Sequence, residues 1–260
     1  MFSNLRHHVF YCLTALMLLS KPCLSAAPAL EYKLVDSISR DPRPFTQGLE
    51  FDGDFLFESS GLRGKSYLIK IDISQPRGGK VLWQRSLPAR YFAEGLTQFD
   101  KYIYLLSWQQ QTGWIIRPDN GAVERQFAYR GQGWGLAAVD GKLVRSDGSD
   151  SLFFHSADNF ELIKKLSVKW DGKPVTRLNE LEYAEGLIWA NIWQSSVIVA
   201  IEPDSGQVAG WLDLSELSER EAMGDRDNVL NGIAYHQASD TLWVTGKRWA
   251  HYYKIKVRLP

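Results

Sequence analysis

The sequence predicts an all-β protein: one five-bladed β-propeller whose ring closes by pairing of N-terminal and C-terminal strands. Three observations carry the prediction. A short phrase recurs five times, as Gln47-Gly48-Leu49, Glu94-Gly95-Leu96, Trp134-Gly135-Leu136, Asn179-Glu180-Leu181 and Asn231-Gly232-Ile233. Its Leu/Ile positions lie 47, 40, 45 and 52 residues apart, a period typical of propeller blades. Four strand-like segments belong to each unit, and the last unit, which is one short, can take its missing strand from the other end of the chain.

The elements follow one order in every unit. The phrase opens an apolar first strand such as Gly48-Leu49-Glu50-Phe51, which ends at turn residues such as Asp52-Gly53-Asp54 or Val139-Asp140-Gly141. A second strand is rich in large apolar residues, as in Tyr102 to Leu106 or Leu187-Ile188-Trp189. The third alternates, as in Tyr67 to Ile71 and Val197 to Ile201, and runs to turns such as Pro118-Asp119-Asn120-Gly121. A fourth closes the unit, as in Val81 to Arg85 and Val208 to Leu212. The fifth unit stops after Tyr252 to Val257, and Leu30 to Val35 supplies the missing strand, leaving no open seam. Residues 213–228 are charged, offer Ser215 as a helix cap, and read as a long, solvated insertion before the last blade.

Residues 1–26 read as a secretory signal peptide, and residues 27–260 as the single propeller domain. Arg6, His7 and His8 precede a mostly apolar Val9 to Leu19, and Ser25-Ala26-Ala27 offers small residues for cleavage. Both cysteines, Cys12 and Cys23, lie in that leader, so the mature chain has no thiol for a disulfide or a thiolate metal site. The expected destination is export, periplasmic in a Gram-negative cell and otherwise secreted, with no stable membrane anchor in the mature form. The 30 basic residues balance 30 acidic ones. That balance gives no electrostatic case for nucleic acid, and a monomer is expected.

First strands lie nearest a propeller's axis, so the varied first positions of the phrase form a ring at one channel mouth. Second strands run antiparallel and return to that mouth, bringing Glu58, Trp108, Asp147, Trp193 and Lys247. Indoles with a few convergent amides and charges have the character of a small-ligand pocket. For Asn231, Asp147 and Ser60 the plainer reading is that they satisfy neighbouring polar groups. The glycines read as packing residues that let backbones crowd. His155, His236 and His251 occur singly, so no metal or other cofactor is expected.

The segments Phe45-Thr46-Gln47-Gly48-Leu49, Glu58-Ser59-Ser60-Gly61-Leu62, Phe92 to Thr97, Leu178 to Glu182 and Val244 to Trp249 resemble the plant-type glutaminyl cyclases, the glutaminyl-peptide cyclotransferases of plants and bacteria. The resemblance implies a five-bladed propeller and conversion of N-terminal glutamine, in peptides or proteins, to pyroglutamate with release of ammonia. It implies Glu94 as catalytic acid/base, with Phe45, Gln47, Trp108, Trp134, Asn179, Trp193 and Lys247 lining the substrate pocket. In that role Gln47 and Asn179 suit a primary amide, since each donates and accepts. Lys247 suits either an oxyanion or a carboxylate needing a counter-charge. Arg63 and Tyr67 depart from the family pattern and bear on the outer rim. Two rival readings are a metal-dependent propeller lactonase, which needs a carboxylate-rich mouth, and a non-enzymatic peptide- or glycan-binding propeller.

Overall fold

Strands that alternate or are apolar throughout, joined by Asp/Gly turns, pair with their chain neighbours before anything else. In the computed structural model, which describes residues 26–74, 79–221 and 224–259, that local pairing builds the whole protein. After β1 (Glu31–Ser39) come four blades. They are β2 (Thr46–Asp52), β3 (Phe55–Ser60), β4 (Tyr67–Asp72) and β5 (Lys80–Ser86); β6 (Ala93–Phe99), β7 (Tyr102–Ser107), β8 (Thr112–Ile116) and β9 (Val123–Ala128); β10 (Leu136–Val139), β11 (Lys142–Arg145), β12 (Ser151–Ser156) and β13 (Leu162–Ser167); and, after a small hairpin of β14 (Lys169–Trp170) and β15 (Lys173–Pro174), β16 (Leu178–Ala184), β17 (Leu187–Ile192), β18 (Val197–Ile201) and β19 (Val208–Asp213). The fifth blade contains β20 (Leu230–His236), β21 (Thr241–Gly246) and β22 (His251–Arg258), with β1 as its outer strand.

The closure is antiparallel and long, running from Glu31 opposite Arg258 to Ser39 opposite His251. The first strands β2, β6, β10, β16 and β20 touch in a closed ring around the axis. Five apolar clusters fill the wedges, one between each pair of adjacent blades. Leu49, Leu56 and Ile69 meet Ala234, Trp243 and Tyr252 across the seam between the fifth and first blades. Burial therefore falls from the axis outward: β2 is buried almost throughout, whereas β5, β9 and β13 are largely exposed. Lys and Arg on those outer edges discourage pairing with a second sheet.

Two expectations need correction. Ser215 is the first residue of α1 (Ser215–Arg220), not its cap; Leu214 precedes it without a side-chain cap, and Asp213 Oδ1 accepts from Ser215 N–H at 2.9 Å. Nor is the insertion only a solvated loop. Leu214 and Leu217 are buried, and Glu221 accepts from Ala250 N–H at 2.7 Å and Tyr253 O–H at 2.8 Å, with His251 Nδ1 at 2.6 Å. The expected leader, apart from Ala26, lies outside the described residues.

Candidate active site

The recurring phrase disturbs the strand that carries it. Pairing with the second strand slips between Thr46 and Gly48, Ala93 and Leu96, Leu178 and Leu181, and Leu230 and Ile233. Such bulges re-aim a side chain out of strict alternation. Gln47, Glu94, Asn179 and Asn231 all fall within them. In the third blade Trp134 and Gly135 precede β10 but still pair with Ser146 backbone groups at 3.0 and 3.1 Å.

Adjacent blades then pin the displaced backbone. Ser59 Oγ donates to Glu94 C=O, Ser146 Oγ to Asn179 C=O, and Gly95 N–H to Trp134 C=O, each at 2.6 Å. The glycine is required because neighbouring phrases touch. A Cβ on Gly95 would lie 2.6 Å from Gly135 Cα, and one on Gly135 only 2.1 Å from the Asn179 carbonyl oxygen. Where Glu180 replaces glycine, its carboxylate crosses the axis and accepts from Ile233 N–H at 2.8 Å and Leu49 N–H at 3.3 Å.

Above this ring lies a cavity of about 460 Å³. All eight residues singled out from the sequence line it: Phe45, Gln47, Glu94, Trp108, Trp134, Asn179, Trp193 and Lys247. One wall is a chain of rings, Phe45 to Phe92 at 6.3 Å and Phe92 to Trp108 at 5.6 Å. The opposite wall is Trp134 edge-on to Trp193 at 5.6 Å and 87°. Gln132 joins the walls, since its Oε1 accepts from Trp108 Nε1–H at 2.7 Å and Trp134 Nε1–H at 2.9 Å.

Glu94 is buried, and no hydrogen bond to its carboxyl occurs among the described residues. Burial pushes that carboxyl well above the ordinary range, with the Lys247 ammonium pulling the other way. Lys247 is buried too, its Nζ 4.9 Å above the Phe45 ring. Burial lowers its proton affinity, which Glu94 and Asp227 partly restore. For both groups burial outweighs attraction. Asn179 Oδ1 is buried in the cavity wall without a partner among the described residues.

These features agree with the comparisons. Residues 8–257 match the family model described as Glutamine cyclotransferase. The chain belongs to the glutamine cyclotransferase family. It is thus an enzyme of the cyclotransferase, or acyltransferase, type. It is 40% identical over 233 residues to a glutaminyl-peptide cyclotransferase of Arabidopsis thaliana, covering 88% of this chain and 72% of that protein. It superposes on a crystal structure of Myxococcus xanthus glutaminyl cyclase with a TM-score of 0.83 at 34% identity, covering 90% of this chain and 99% of the other.

Within this cyclotransferase fold, Glu58, placed at the mouth from sequence, is instead buried in an ion pair with Arg40 at 2.9 Å. Asp147 follows the plainer reading given to it, its Oδ1 accepting from Ser149 N–H and O–H at 3.0 and 2.5 Å. Ser60 Oγ accepts from Phe45 N–H at 2.9 Å, and Asn231 Nδ2 donates to Thr46 C=O at 3.0 Å and reaches Gln47 Oε1 at 3.5 Å. Both therefore support cavity residues from behind. Sequence reasoning missed Leu62, Phe92, Gln132 and Asp227 as lining residues. Phe92 stood two residues before Glu94 and Gln132 two before Trp134, a weak signal in each case. Asp227 arrives on the charged insertion and carried no signal.

Proposed function

We propose that this enzyme converts N-terminal glutamine of peptides to pyroglutamate, with Glu94 as its acid/base. The observation that carries the reading is a buried carboxyl of raised proton affinity, without a hydrogen-bond partner, facing an aromatic cavity beside an unpaired Asn179 oxygen. Gln47 and Asn179 bind the substrate carboxamide, and the indoles fold its side chain back towards its own amine. The neutral α-amine nitrogen attacks the γ-carboxamide carbon and the carbonyl becomes an oxyanion, which Lys247 stabilises. Glu94 takes a proton from the attacking nitrogen and returns it to the carboxamide nitrogen. As the carbonyl re-forms, that carbon–nitrogen bond breaks, ammonia leaves, and the five-membered lactam remains. Export of the mature chain fits a role on secreted peptides.

The test is ammonia release from a Gln-initiated dipeptide. The Glu94→Gln variant keeps the fold by circular dichroism and loses roughly 10²–10⁴ in turnover, the usual contribution of a general acid–base. Near-normal turnover removes Glu94 from this role. A lactonase reading fits less well, because among the described residues the cavity lining holds only Glu94 and Asp227 as carboxylates.

A further inference from the structure

A second, larger cavity of about 790 Å³ runs between the fifth and first blades and meets the site at Leu62, which lines both. The two are also joined through the chain. Pro44 and Arg248 line the cleft and are the immediate neighbours of Phe45 and Lys247 in the site. Leu62 sits in the left-handed region at φ +83°, a costly conformation for a residue with a Cβ, and is presented between the two spaces. Tyr67 forms part of the cleft wall, and Arg63 stacks 6.0 Å above the Trp108 ring and donates to Gln109 Oε1 at 2.8 Å.

The cleft has an apolar side, with Ile69, Ile71 and Val81, and an excess of cations. Three of them are spoken for: Arg40 pairs with Glu58, Arg43 with Asp41 and Arg248 with Asp225. Lys65 is exposed on the same wall and forms no ion pair among the described residues. A peptide whose first residue fills the 460 Å³ site has to leave it, and Leu62 is where a neighbouring groove begins.

Building on the cyclase reading above, we propose that this cleft binds the residues downstream of the N-terminal glutamine and favours an acidic side chain, with Lys65 as its counter-charge. The test uses C-terminally amidated peptides that begin with Gln, with a single Asp or Asn walked through positions two to six. At one position the Asp peptide exceeds its Asn twin in kcat/KM by about 1.5- to 5-fold, the range of an exposed ion pair. In Lys65→Glu the same ratio falls below one. Each ratio compares two substrates in one enzyme preparation, so altered folding does not move it.

Asp/Asn ratios near one at every position, or a ratio unmoved by Lys65→Glu, overturn the proposal. So does a gain seen only when the neutral peptide carries a free C-terminus, which assigns the charge to a terminal carboxylate. If no peptide is cyclised, a Gln dipeptide amide included, the activity itself fails and the cleft reading with it. Equal cyclisation of all peptides sinks the cleft alone.

Discussion

A buried ion pair ties the ring closed beside the strand pairing, and that pair is open to a quantitative test. Arg40 ends the N-terminal strand, its N–H donating to Ala250 C=O at 2.8 Å. Its guanidinium pairs with Glu58 at 2.9 Å with the two side chains 2% and 0% exposed, donates to Thr245 Oγ1 at 2.9 Å and Thr46 Oγ1 at 3.1 Å, and lies 4.7 Å over the Tyr252 ring. Glu58 in turn accepts from Thr46 O–H at 2.5 Å and Tyr252 O–H at 2.6 Å. One cluster thus ties β1 and the fifth blade to the first. Glu58→Gln preserves shape and removes the charge, which leaves Arg40 buried at the base of the cleft without its counter-charge. Breaking one side of such a pair costs about 3–5 kcal/mol, or about 6–20 °C in Tm at the usual 2–4 °C per kcal/mol for a domain this size. Arg40→Met has a cost of the same order. Combining it with Glu58→Gln recovers part of that loss, because the double variant leaves no lone charge to desolvate. Urea titrations of the four proteins give the coupling energy. Single variants within about 1 kcal/mol of wild type, or a double variant that loses the plain sum of both, would refute the argument.

Two further outcomes follow from the proton affinities. Lys247→Met removes the cation that draws Glu94 downward, so burial acts unopposed and the acid limb of the kcat/KM profile moves to higher pH. A limb that stays in place or moves down contradicts the Glu94–Lys247 coupling. Near the axis, burial raises Glu50 from 4.5 to about 7 and lifts Glu180 and Glu182 well above the usual range. A carboxyl whose folded-state affinity is raised gives its full stability below the unfolded value and loses it as pH rises through the folded one. Between about pH 4.5 and 7 the wild type therefore loses stability relative to Glu50→Gln. Urea midpoints at pH 4.5 and 7.5 check this, and parallel slopes for the two proteins would contradict it.

The fold was legible because a propeller is built from local pairing. Each hairpin is announced by its turn residues, and the missing fourth strand of the last blade showed at the N-terminus. The ring of varied positions was legible for the same reason: the phrase marks the bulge that re-aims Gln47, Glu94 and Asn179. What sequence hid were relations between blades. Glu58 pairs with Leu49 as Val244 pairs with Ile233, so it lies inside its strand, three residues short of the position Lys247 holds, and there it meets Arg40 across the seam. Asp147, by contrast, takes the plainer reading its sequence position offered, a local turn with Ser149. Asp227 reaches the cavity on an insertion that is docked on blade five by Glu221, a contact between residues about 30 positions apart, and by the pairing of Arg248 with Asp225.

The shape of the cavity depends on a residue that sequence reasoning passed over. Indoles on separate strands have no covalent reason to hold one spacing, and Trp108 and Trp134 belong to different blades. Gln132 supplies the reason, because one amide oxygen accepts from both. Its loop is held in turn from beneath. Arg145, buried between the Tyr129 and Phe153 rings at 5.3 and 4.5 Å, donates to the carbonyls of Gln132 and Arg130. A buried guanidinium is thus spent on backbone carbonyls, and the loop that carries Gln132 holds the two indoles at one spacing beside Glu94. The proposed cyclisation, which folds a flexible side chain back on its own amine, requires walls fixed in that way.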